Sequence, residues 1–196
     1  VAARLGVPVL LGGPAFNMPG VAAEWSRVPG ITAVFAGEAE HAIVALVDAL
    51  RRRAPVDQLA GVFTHSNVTR TPDGGQPLEP ITPLDDLMIP DFSDFPWDRY
   101  PHRIVPVMAS RGCGWGRCTF CSDVRTANGR GFRTRSVERV LDELAMQADR
   151  YDTRDFIFLD IKLNSDLMLW RGIVDGLQRR VRDARWIGTV HVDGNR

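Results

Sequence analysis

Arg111-Gly-Cys-Gly-Trp-Gly-Arg-Cys-Thr-Phe-Cys-Ser122 is the stretch on which the reading of this chain turns. It follows the apolar run Ile104–Ser110, which reads as a strand. Its cysteines, Cys113, Cys118 and Cys121, are the only three in the protein and are spaced C-x4-C-x2-C. An odd count rules out complete disulfide pairing. A secreted protein would spread its cysteines to staple distant segments, whereas clustering in one loop suggests thiolates gathered on one metal centre in a reducing compartment.

Four readings of this loop compete. Structural zinc needs four ligands, so His102 or His191 would have to join from outside. A four-cysteine electron-transfer cluster lacks its last thiolate. Inert core cysteines do not normally fall three to a glycine-rich loop. The remaining reading is a 4Fe-4S cluster held by three thiolates, with one iron open to a bound molecule. Gly112, Gly114 and Gly116 let such a loop turn tightly and bring backbone N–H groups towards the sulfides.

Lys plus Arg number 24 and Asp plus Glu 24, so no basic excess marks a general nucleic-acid or membrane-surface binder. Hydrophobic residues are 44 %, as in ordinary globular proteins, yet no apolar run approaches the roughly 18 residues of a membrane span. No export leader is visible, and a cytoplasmic location is expected. The chain starts at Val1 rather than Met and stops just after a strand-like run, which makes an internal fragment the expectation.

Working outward, periodicity divides the chain into residues 1–68, 69–103 and 104–196. In the first part, Val7–Leu11, Ile31–Ala36 and Gly61–Ser66 read as strands, and Val21–Arg27 and Ala39–Arg53 as helices. Ile43, Val44, Val47 and Leu50 would form the apolar face of the second helix. Continuous apolar strands alternating with helices predict a parallel sheet covered on both faces. The middle part holds seven of the thirteen prolines, with Phe92, Phe95, Trp97 and Tyr100 among them. It reads as an extended linker pinned by its aromatics. In the last part, Ser136 should cap a helix running to about Arg150, with Val137, Val140, Leu141, Leu144 and Ala148 as its stripe. A strand at Phe156–Asp160 follows, then a helix capped by Asn164 or Ser165 and a third strand at Trp186–Asp193. Parallel right-handed crossovers are expected. Asp160 would share a face with Phe156 and Phe158, and Thr189, His191 and Asp193 would form a polar row suited to a ligand cavity.

The cysteine loop resembles that of the radical SAM enzymes, whose signature is C-x3-C-x2-C with an aromatic before the last cysteine. Here Phe120 stands at the aromatic position, and the first gap is one residue longer. One residue adds up to about 3.5 Å of reach, which the Gly-Trp-Gly-Arg segment can absorb. The resemblance implies that Cys113, Cys118 and Cys121 ligate three irons and that the fourth iron chelates S-adenosylmethionine (SAM). It implies that Phe120 packs near the adenine, and that reductive cleavage gives methionine and a 5′-deoxyadenosyl radical. Residues 104–196 then resemble the first half of the family's partial (β/α)6 barrel. On that reading Asp160, Lys162 and Asn164, after the second strand, lie near the methionine moiety.

Leu10-Leu11-Gly12-Gly13-Pro14, followed by a strand and Gly37-Glu38-Ala39-Glu40, resembles the cobalamin-binding domain that often precedes such barrels. The resemblance implies an α/β chain: the C-terminal part of a doubly wound cobalamin-type sheet, a Pro-rich linker and half a barrel. Gly12, Gly13, Gly37 and Glu38 would approach the cobalamin tail, since loops at strand C-termini hold ligands in such sheets. His41 reads as a surface histidine. The implied function is cleavage of SAM, most simply for a cobalamin-dependent methyltransferase or related radical enzyme. The implied partners are a small-molecule or peptide substrate and a reductant such as flavodoxin or ferredoxin. The alternatives are a radical SAM enzyme without cobalamin, resembling the methylthiotransferases, and a non-catalytic iron–sulfur or zinc module.

Overall fold

The apolar run around Ile31–Ala36 forms the middle strand of the first of two units in a mixed α/β chain. The structure, a computed structural model, describes every residue except Val1, Pro19 and residues 71–76, 126–130 and 193–196. One unit comprises Val1–Ile81 with Thr119–Arg130, the other Thr82–Cys118 with Gly131–Arg196.

In the first unit, β1 (Leu10–Leu11), β2 (Ala33–Phe35) and β3 (Val62–Phe63) lie in that order. β2 is buried on both faces. Ala33 and Phe35 pack with Leu46, Val56 and Val62. Val34 and Ala36 pack on the other side with Ala22, Phe63 and Val68. These contacts set α2 (Ile43–Arg51) on one face and α1 (Val21–Ser26) and α3 (His65–Arg70) on the other.

Two expectations change here. β1 pairs parallel to β2, but β3 is antiparallel, with Val34 opposite Phe63 and Phe35 opposite Val62. After α2 the chain turns at Arg53 (φ 56°), close to Pro8 and Thr32 at the N-terminal end of the sheet. It then returns to the other end, where Gly61 accepts a hydrogen bond from Ala36 N–H at 2.8 Å. β3 therefore starts from the opposite edge. The apolar face of α2 also differs, because Val44 is 70 % exposed. Ala42, Leu46, Ala49 and Leu50 face the sheet instead, and the small alanines allow close approach.

In the second unit, β4 (Ile104–Val107), β7 (Asp155–Phe158) and β8 (Arg185–Ile187) pair in parallel in sequence order. Between them run α5 (Val137–Tyr151) and α6 (Leu167–Arg180). Val105, Val107, Phe156 and Phe158 meet Val140, Leu144, Ile173 and Leu177 in one core. A Cβ on Gly172 or Gly176 of α6 would collide with Val137 or Leu141 of α5, so these glycines let the helices touch closely. The Ser136 hydroxyl accepts from Arg139 N–H, capping α5 as expected. α6, however, is capped by Asp166, whose carboxylate accepts from Met168 and Leu169 N–H, and not by Asn164 or Ser165.

The proline-rich segment from Thr82 onward lies along α5. Leu84 is buried, and Phe92 and Trp97 pack against the core. Asp85 accepts from Ser136 N–H, and Pro90 O accepts from the Gln147 amide. β8 is shorter than the predicted strand. Thr189 and His191 follow it in irregular chain, and Asp193 lies outside the described residues. Among the described residues no helix is long and apolar enough to cross a membrane.

Candidate cofactor site

Because β4, β7 and β8 are parallel, their C-terminal ends open on one edge of the sheet. From that edge leave the cysteine loop, the segment Leu159–Asp166 and residues 188–192. Side chains stitch the three together. The Asn164 amide donates to His191 O at 2.8 Å and accepts from His191 N–H at 2.9 Å. Leu163 N–H donates to Thr189 O at 2.9 Å. Gly114 N–H reaches the Ser165 hydroxyl at 3.3 Å. Asn164 is thus a clasp between two loops, a role its position before a helix did not suggest.

Asp160 occupies the centre of this edge, 4 % exposed. One carboxylate oxygen accepts from Ala109 N–H at 3.0 Å, and the other from the Ser110 hydroxyl. Burial pushes its pKa up from the ordinary 3.8, and the Ser110 and Ala109 hydrogen bonds oppose that rise. The structure therefore gives Asp160 a positioning role between β7 and the start of the cysteine loop. Lys162 is half-buried, and its carbonyl accepts from Ser165 N–H at 3.1 Å.

The base of the cysteine loop is closed by β5 (Ser110–Arg111) pairing antiparallel with β6 (Arg133–Thr134). Arg135, just beyond β6, forms a buried ion pair with Glu143 of α5 at 2.6 Å. The same guanidinium donates to Met108 O at 2.9 Å, and Arg135 N–H donates to Ala109 O at 2.9 Å. Residues 108–110 are held from both sides, three residues before Cys113. Sequence reasoning missed Ser110, Arg135 and Glu143. No motif marks an ion pair between a strand end and a helix two turns later.

The three thiols are free and half-buried. Among the described residues no group of three or more His, Cys, Asp or Glu is gathered closely enough to hold a metal. Formation of a metal site is commonly coupled to binding of the metal. The donor set nonetheless fits an iron–sulfur cluster: three soft thiols and no carboxylate between Cys113 and Cys121. Gly116 turns the loop at φ 59°, where a Cβ would lie 3.5 Å from Cys113 O. His102 is removed as a fourth zinc ligand, since it lines a cavity with Asp155 and Arg185 at the opposite end of the strands. Phe120 is 89 % exposed. α4 (Ser122–Arg125) follows the last cysteine.

In the first unit, the loops after β1 and β2 meet where Asn17 accepts from Gly37 N–H at 2.6 Å. Gly12 lies beside Phe35, and Gly13, at φ 108°, leads into a short 3-10 turn beginning at Pro14. Gly37 (φ 117°) has Leu78 where a Cβ would sit, at 2.7 Å. The Glu38 carboxylate accepts from Ile81 N–H at 2.7 Å. Gly37 and Glu38 therefore grip residues 78–81, a contact the sequence did not announce. His41 is exposed, as expected.

No protein-family model matches the chain. Solved structures do. TsrM, a radical S-adenosylmethionine methyltransferase from Kitasatospora setae, matches 92 % of the chain with TM-score 0.58 and 21 % identity. OxsB, a cobalamin-dependent S-adenosylmethionine radical enzyme, matches 94 % with TM-score 0.62 and 19 % identity. The chain shares its mixed α/β fold with part of each of these enzymes. In sequence, the chain is 36 % identical over 135 residues to an uncharacterized methyltransferase from Pyrococcus horikoshii, a match covering 67 % of this chain and 28 % of that protein. It spans 35 % of TsrM and 26 % of OxsB.

Proposed function

We propose that this chain is part of a radical SAM enzyme, with Cys113, Cys118 and Cys121 holding a 4Fe-4S cluster. The observation that carries the reading is the placement of the cysteine loop. It leaves the C-terminal end of the first parallel strand, the end at which such folds place their chemistry. Asp160 and Ser165 tie it to the segment after β7, which Asn164 in turn clasps to residues 188–192.

With SAM bound, such a cluster supplies one-electron cleavage to methionine and a 5′-deoxyadenosyl radical. The chain's own residues prepare the site. Cys113, Cys118 and Cys121 would hold three of the irons, and the fourth would be left for the amino and carboxylate groups of SAM. On this reading Lys162 and Asn164, in the segment after β7, would serve the methionine moiety, and the exposed ring of Phe120 would serve the adenine. The sheet of β4, β7 and β8 is read as the first half of a partial barrel. Residues 1–68 are read as the end of a cobalamin-binding sheet, with Gly12, Gly13, Gly37 and Glu38 at its ligand edge.

The reaction this favours is methyl transfer from cobalamin to a small-molecule or peptide substrate, with a reductant such as flavodoxin or ferredoxin. That the P. horikoshii relative is a methyltransferase supports methyl transfer, and the cobalamin bound in TsrM and OxsB supports cobalamin. The test uses the full-length protein, purified anaerobically and given SAM and dithionite. Formation of 5′-deoxyadenosine is expected, and it should be lost in Cys113→Ala, Cys118→Ala and Cys121→Ala. Cleavage that survives all three substitutions would overturn the assignment. Bound cobalamin in the same preparation would separate this reading from a cobalamin-free enzyme.

A further inference from the structure

We infer that Asp160 and Ser110 form a lock that sets the launch direction of the cysteine loop and so governs cluster assembly. The inference rests on the proposed cluster site and adds to it two residues that act by positioning its loop.

The β4–β7 ladder ends where Leu159 N–H donates to Val107 O at 2.9 Å. Beyond that point the chain leaves the parallel sheet for the β5–β6 pair, and the sheet offers Ala109 N–H no strand partner. Asp160 supplies one. Its carboxylate takes Ala109 N–H on one oxygen and the Ser110 hydroxyl on the other. Ala109 and Ser110 are 0 % and 2 % exposed, so water cannot substitute for either bond. On the opposite side Arg135 holds Met108 O and Ala109 O.

A carboxylate suits this place because both of its oxygens only accept. An amide there would keep its oxygen for Ala109 N–H and turn its N–H2 group to the Ser110 hydroxyl, which could then only accept and would leave its own proton without an acceptor. Buried donors left without an acceptor carry their full desolvation cost. The consequence is directional: Cys113 follows Ser110 by three residues, so a loosened residue 109 or 110 misaims the first ligand.

The test compares wild type, Asp160→Asn, Ser110→Ala and Ser110→Thr in the full-length protein. Amide exchange of the peptide spanning residues 108–114, measured without metal, reports the lock itself. Resistance of the reconstituted cluster to a chelator reports its consequence. In Asp160→Asn, exchange should rise about tenfold, as for loss of a hydrogen bond to a charged acceptor. Iron should be lost to chelator roughly 10-fold faster, as when a group supporting metal ligands is removed. Ser110→Ala, the milder change, should show both effects in smaller measure and keep the wild-type melting temperature within a few degrees. Ser110→Thr, which retains the hydroxyl, should restore both. Unchanged exchange in Asp160→Asn and Ser110→Ala would overturn the lock. Faster exchange with unchanged iron retention would overturn its role in assembly. A wild type that takes up no iron and sulfide would sink the cluster assignment itself, and with it the inferred role in assembly, while the exchange data still report the lock.

Discussion

Gly37 shows how tightly a single position is determined. Its φ of 117° lies where L side chains are strained, and Leu78 fills the space a Cβ would need. Gly37→Ala should destabilise the first unit by about 1–3 kcal/mol through strain and overpacking, seen as a lower midpoint in urea. Two aspartates of the second unit respond to pH in opposite directions. Hydrogen bonds from the Ser93 hydroxyl and amide, then from the Tyr151 hydroxyl, hold Asp91 down at about 2 from its ordinary 3.8. A depressed folded value means that its contribution is present above 3.8 and is lost as pH falls through about 2. Asp160, raised by burial, works the other way: its contribution falls as pH climbs from the ordinary carboxylate range through its folded value. Denaturant midpoints between pH 5 and 2 should therefore fall less steeply in Asp91→Asn than in wild type. Parallel curves would show that Asp91 does not carry this dependence.

Elements were legible in the sequence where local chemistry decides them. Ser136 capped its helix as read, and the 3.6-residue stripe of Val140, Leu141, Leu144 and Ala148 became the buried face of α5. Alternation along Phe156–Asp160 placed Asp160 on the buried face with both phenylalanines. What escaped was settled by packing over distance. The antiparallel β3 follows from the path of residues 52–61, and no local signal marks that path. The Arg135–Glu143 pair joins a strand end to a helix face with no motif between them. Glu143→Ala should cost about 3–5 kcal/mol, because a buried guanidinium loses its counter-charge. Thermal unfolding checks this, and a shift no larger than that of an exposed pair would contradict it. The glycines of α6 likewise reveal themselves only against α5. Gly176→Ala should lower stability by about 1–3 kcal/mol even though alanine is the better helix former.

At the scale of the molecule, the two units divide the proposed chemistry between them. On the proposed reading the loops after β1 and β2 of the first unit would meet a cobalamin, and the second presents the stitched edge from which the cysteine loop leaves. The balance of 24 basic and 24 acidic residues fits recognition through such sites rather than through a broad charged face. The central claim is that the three cysteines hold an iron–sulfur cluster, and anaerobic reconstitution of the full-length protein tests it most directly. About four irons and four sulfides per chain are predicted, with each Cys→Ala variant losing them. One tightly held zinc without sulfide would contradict the account.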